Sequence, residues 1–98
     1  MPRRRRRSRQ QSRVALRIIY GRTAIKDLQA IPLPDRDRIR SRVAAYAAAP
    51  AGAGHDVRAL VNHSATLRLR VGDWRVVFDV LGDDMAIKRV LHRREAYR

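Results

Sequence analysis

The spacing of apolar residues changes along the chain, and each change marks an element. Val14–Tyr20 (VALRIIY) is dense in β-branched and large apolar residues, with Leu16, Ile18 and Tyr20 on one face, and predicts a first strand. Gly21 and Arg22 interrupt it. Ala24, Leu28 and Ile31 then recur at i, i+4 and i+7, which predicts a helix over Ala24–Ala30 with Thr23 as its N-cap and Pro32 as its stop. Pro34, Asp35 and Asp37 suit the first turn of a second helix. Its apolar stripe is Ile39, Val43 and Tyr46, with Arg36, Arg38, Arg40 and Arg42 on the other side. The alanine-rich run to Ala49 extends this helix, and Pro50, Gly52 and Gly54 end it. A connection of about three residues folds the two helices into an antiparallel hairpin.

After a loop running to Ser64 the period becomes two. In Thr66–Val71 (TLRLRV), Leu67, Leu69 and Val71 alternate with Thr66, Arg68 and Arg70, so one face is apolar and the other cationic. Gly72-Asp73 turns the chain into Trp74–Leu81, where Trp74, Val76, Phe78 and Val80 oppose Arg75, Val77 and Asp79. Gly82-Asp83-Asp84 turns it again into Met85–His92, and a short polar tail, Arg93 to Arg98, follows. The expected fold is α+β: an N-terminal strand, an antiparallel two-helix hairpin, then a three-stranded antiparallel meander that completes a sheet covered on one face by the hairpin. No internal repeat or linker interrupts residues 14–98, which read as a single domain.

Charge sharpens the picture. Over 98 residues, 23 Lys and Arg face 9 Asp and Glu, a net +14, which excludes an acidic scavenger and points to a polyanionic partner. Residues 1–13 (MPRRRRRSRQQSR) hold seven arginines and no acid, and read as a disordered arm: it could grip phosphates non-specifically, but the plainer reading is an extension with no part in the chemistry. The other 85 residues retain 16 basic and 9 acidic side chains, a net +7. The absence of cysteine excludes a disulfide framework or thiolate zinc site and suits a reducing compartment. The longest apolar run, Val43 to Ala49, is too short to span a bilayer, so a cytoplasmic location without membrane contact is expected.

Candidate chemistry follows from that charge. Arg68 and Arg70 point the same way about 7 Å apart, and Arg75 can lie beside them across the turn. Guanidinium forks match phosphate oxygens, and three of them on one face repel one another until an anion is bound. The plainer meaning of such alternation is a solvated face. His92, followed by Arg93 and Tyr97, adds groups able to exchange protons. His55 and His63 are assigned to ordinary packing or surface roles, and Asp56, Asp79 and Glu95 stand isolated. Metal-ligand spacing and a glycine-rich phosphate loop are absent from the sequence, so neither a metal nor a cofactor is expected.

The segments AIKDLQAIP, RDRIRSRV, RLRVGDWRVVFDV and HRREAYR, in that order, resemble the RelE/ParE superfamily of bacterial type II toxins, most of all its RelE-like mRNA endonucleases. The resemblance covers about residues 14–98. It implies a small toxin that enters the ribosomal A site, cuts mRNA there, and is restrained by a cognate antitoxin in a hetero-oligomer. It places Arg68, Arg75, Arg93 and Tyr97 in the active site, with His92 where several relatives also have histidine; Arg70, beside Arg68 on the cationic face, is expected as a further phosphate contact. Some members carry lysines where this chain has Thr66 and Arg68. Arginine stays protonated, so proton transfer falls to His92 or Tyr97. The ParE branch, which poisons DNA gyrase without cutting RNA, shares the scaffold, and a basic RNA-binding protein without activity is the remaining alternative.

Overall fold

The computed structural model describes residues 15–60 and 66–96. The proposed arm, His63 and Tyr97 lie outside them. Strand β1 (Arg17–Tyr20) leads into helices α1 (Arg22–Gln29) and α2 (Leu33–Ala48). Strands β2 (Val57–Ala59), β3 (Thr66–Val71), β4 (Trp74–Leu81) and β5 (Asp84–His92) follow, then the single turn α3 (Arg93–Ala96). The sheet order is β1-β5-β4-β3-β2, with β1 parallel to β5 and every other pairing antiparallel.

The expected stripes form the core. Ala24, Leu28 and Ile31 from the α1 region and Ile39, Val43 and Tyr46 from α2 pack against Leu69, Val71, Val76, Phe78, Met85, Ile87 and Val90 of the sheet. Both long helices therefore cover one face of the sheet, and the opposite face carries the polar half of each alternating strand. Gly72, at φ +59, occupies the left-handed region that a two-residue turn between β3 and β4 requires.

Four details differ from the sequence expectation. Strand β2 falls inside the segment read as loop, because three residues are too few to display a period. The N-cap of α1 is Gly21, not Thr23: its backbone N–H is drawn to the carbonyl of Ile87, 2.9 Å away, which fixes where the strand ends and the helix begins. The segment Arg93–Ala96, read as tail, makes one helical turn. Finally, β5 is bulged. The pairing passes from Phe78↔Ile87 to Val77↔Arg89, so Lys88 is an extra residue on one strand. Beyond it the alternation is inverted: Val90 and His92, rather than Arg89 and Leu91, share the face of Val76 and Trp74.

Candidate nucleic-acid interface

On the face turned away from α1 and α2, three strands bring arginines into register. Arg58 of β2 lies opposite Arg68 of β3, and Arg70 of β3 lies opposite Arg75 of β4. Together with Asp56 these four line a cleft of about 170 Å³. Like charges directly opposed on a sheet destabilise it, so the arrangement calls for a counter-charge. Asp56 supplies one within the chain: its carboxylate oxygens stand 3.8 Å from Arg70 Nη1 and 4.0 Å from Arg58 Nε. Its backbone carbonyl accepts the N–H of Arg70 at 2.9 Å, which ties it to β3.

Arg75 is the unusual member. It is only 5% exposed, and its Nη1 donates to the carbonyls of Gly72 at 2.8 Å and Trp74 at 2.9 Å. A buried guanidinium must be hydrogen-bonded to be tolerated, and these bonds lock it against the turn. Its charge is thus held in place before any ligand arrives. Arg93 approaches the same turn from the other side: its N–H donates to the carbonyl of Asp73 at 2.7 Å and its Nε lies 3.7 Å from Asp73 Oδ1. At the far end of this face Thr66 donates to Asp79 at 2.6 Å, and Lys88 pairs with the same carboxylate at 3.6 Å.

His92 is not brought to the arginine cleft. The bulge turns it towards the helix side, where its ring meets Trp74 edge-on with centroids 5.2 Å apart. There it borders a separate cleft shared with Lys26, Asp27, Arg89 and Glu95. Its backbone N–H donates to Glu95 Oε1 at 3.2 Å and its Nδ1 accepts from Arg94 N–H at 3.3 Å, so it caps the start of α3. Strict alternation from Met85 would have put it on the arginine face. His55 Nε2–H donates to the carbonyl of Ala49 at 2.9 Å, and the ring packs edge-on against Tyr46, a structural role.

Sequence reasoning missed Arg58 and Asp56. Neither lies in a periodic segment, and their place beside Arg68 and Arg70 emerges only from the pairing of β2 with β3. A second surface lies on the helix side, where Tyr20, Ile25, Leu28, Gln29, Arg36 and Arg40 line a groove. Arg40 stands 5.3 Å over the Tyr20 ring. Burial raises the Tyr20 phenol above its ordinary value, and Arg40 opposes that shift.

A small α+β scaffold presenting four arginines around one cleft is a class of protein equipped to hold the phosphate of a polyanion. The family model for the ParE toxin of the type II toxin-antitoxin system parDE matches residues 18–97, and the chain belongs to this family of toxins. Toxin RelE3 of Methanocaldococcus jannaschii is 27% identical over 84 residues, covering 84% of this chain and 96% of that protein. Among solved structures, the RelB–RelE antitoxin–toxin complex of Methanococcus jannaschii aligns at a TM-score of 0.68 with 26% identity, over 81% of this chain and 94% of that one. The toxin–antitoxin complex RelBE2 of Mycobacterium tuberculosis aligns at 0.69 with 20% identity, over 82% and 100%, and supports the fold alone.

Proposed function

We propose that this toxin is a metal-independent endonuclease that cuts mRNA in the ribosomal A site and is neutralised by a cognate antitoxin. The observation that carries the proposal is the cleft of Arg58, Arg68, Arg70 and Arg75, with Arg93 at the adjoining turn. RNA supplies its own nucleophile: the ribose 2′-OH attacks the adjacent phosphorus, the 5′-oxygen leaves, and a cyclic phosphate remains. The protein then needs to position the phosphodiester, move protons and neutralise the added charge. Arg75 and Arg93 stabilise the pentacoordinate phosphorus, Arg68 holds the scissile phosphate, and Arg70 with Arg58 holds its neighbour. Tyr97 keeps the proton-transfer role that the sequence suggests for it. His92, set against Trp74 across the sheet, serves instead to hold the start of α3.

The antitoxin's place is the helix-side groove. Ile25 is 45% exposed there, and Arg36 Nε is buried without a hydrogen-bond partner among the described residues. An amphipathic segment bearing carboxylates would cover the apolar floor and satisfy that nitrogen.

The test is to add purified protein to programmed ribosomes in EDTA and map the 5′ ends of the message by primer extension. Discrete cuts in the A-site codon, lost in Arg68→Ala and Arg75→Ala, support the proposal. The family model is that of ParE, which favours one other reading, a gyrase poison. Intact transcripts together with halted supercoiling would establish it in place of the nuclease.

A further inference from the structure

Resting on the nuclease reading, we propose that Asp79 and Lys88 bind the edge of one base, guanine by preference, in a nucleotide next to the scissile phosphate. The register of the sheet lays out the face on which the arginines stand. Arg70 and Arg75 form the row nearest the β3–β4 turn, and Arg58, Arg68 and Val77 form the row after it. The third row, about 7 Å further on, is Thr66, Asp79, Ala86 and Ile19, side by side on β3, β4, β5 and β1. Past Arg68 the face therefore stops being cationic. One acid, Asp79, is met by one cation, Lys88, at 3.6 Å, and beside them lie Ala86 and Ile19, the latter 43% exposed. A phosphate gains nothing from a balanced ion pair among methyl groups. A nucleobase does, because its ring faces are apolar and its edge carries donors and acceptors.

The two side chains are held so as to offer one of each. Thr66 is 7% exposed and donates its hydroxyl to Asp79 Oδ1 at 2.6 Å, which fixes the carboxylate. Oδ2 faces Lys88 at a separation beyond hydrogen-bond distance, and the lysine side chain is 52% exposed. Lys88 is the extra residue of the β5 bulge. Its neighbour Arg89 turns to Asp27 on α1, so the irregularity sends two successive cations to different partners, one of them in this row. A carboxylate beside an ammonium matches guanine, whose O6 accepts where N1–H and N2–H donate. Uracil matches with one donor fewer. Adenine and cytosine bring an amino group to the place of the ammonium, where donor meets donor.

The rival account makes Asp79 only the partner of a buried hydroxyl and a surface lysine. The two differ in what happens to base preference. Cutting is measured on programmed ribosomes whose messages differ in one base of the A-site codon, for wild type, Asp79→Asn and Lys88→Met, with thermal melting to verify folding. The proposal expects wild type to cut a codon with guanine at one position roughly 10-fold faster in kcat/KM than its adenine counterpart, the scale of one bidentate base contact. Either substitution should bring that ratio to within about twofold of one, by slowing the guanine codon more than the adenine codon. Lys88 is exposed, so its variant decides the matter even if Asp79→Asn melts early. A wild-type ratio near one at every position, or a ratio that survives in Lys88→Met, would overturn the proposal while leaving the nuclease reading intact. Equal slowing of every codon would make Lys88 a phosphate contact and also overturn it. A wild-type protein that cuts nothing would remove both readings.

Discussion

Arg75 holds the β3–β4 turn and contributes charge to the cleft, and the two roles have one physical origin. A guanidinium withdrawn from water must find acceptors, and the carbonyls of Gly72 and Trp74 provide them at the place where the cleft needs a fixed cation. Arg75→Ala should therefore lower stability by about 2 kcal/mol, the scale of a hydrogen bond to a charged group, in a urea titration, and abolish cutting as well. Arg70→Ala, at an exposed position, should weaken RNA binding with little effect on the melt. Tyr20 and Tyr46 belong to the same scale. Burial raises both phenols, so the folded protein keeps its protons to higher pH than the unfolded chain. Stability should be unaffected by these groups below pH about 10 and fall as pH rises past it, which melts at stepped alkaline pH would record. The alternation TLRLRV made Arg68 and Arg70 legible. Arg75 was legible as a member of that face but not as a buried residue, because hydropathy places arginine outside and only the turn's carbonyls bring it in.

At the scale of elements, the bulge in β5 decides which side chains meet. The extra residue Lys88 moves His92 from the arginine face to Trp74 and lets Arg89 reach back to α1. There Asp27 accepts from Arg89 Nε and Nη2 and from the N–H of Val90, clamping helix to strand across the irregularity. Asp27→Ala should cost about 2 kcal/mol by leaving the buried Val90 amide unpaired, detectable as a lower denaturation midpoint. His92→Ala should cost about 1 kcal/mol, the worth of an aromatic pair, with cutting retained, since the ring stands away from the arginine cleft. Strands of six or more residues and both long helices were readable because their periods run for several repeats. The bulge was not, since Met85–His92 fits an unbroken strand equally well, and β2 was not, since Val57–Ala59 shows no period.

For the molecule as a whole, the sheet separates two surfaces of different chemistry. One side carries the helices, the core and a groove of mixed apolar and cationic character; the other carries the arginine cleft. The net +14 suggests a polyanionic partner, but charge without coordinates does not say which arginines share a face. RNA affinity should fall linearly on a log–log plot against salt, and Arg58→Ala and Arg70→Ala should each reduce the slope by about 0.7, the value per phosphate contact on a single strand. Filter binding between low and moderate salt would measure it. Charge reversal on the helix-side groove, as in Arg40→Glu, should leave that slope nearly unchanged and loosen the antitoxin instead.

The chemistry attributed to the cleft leaves a signature on its product. Mass spectrometry of the upstream fragment, released from programmed ribosomes in EDTA, reads it directly. The account predicts a 2′,3′-cyclic phosphate paired with a downstream 5′-hydroxyl, absent when the A-site codon carries 2′-deoxyribose. A 5′-phosphate on the downstream fragment, or cutting that persists on the deoxy codon, would contradict it.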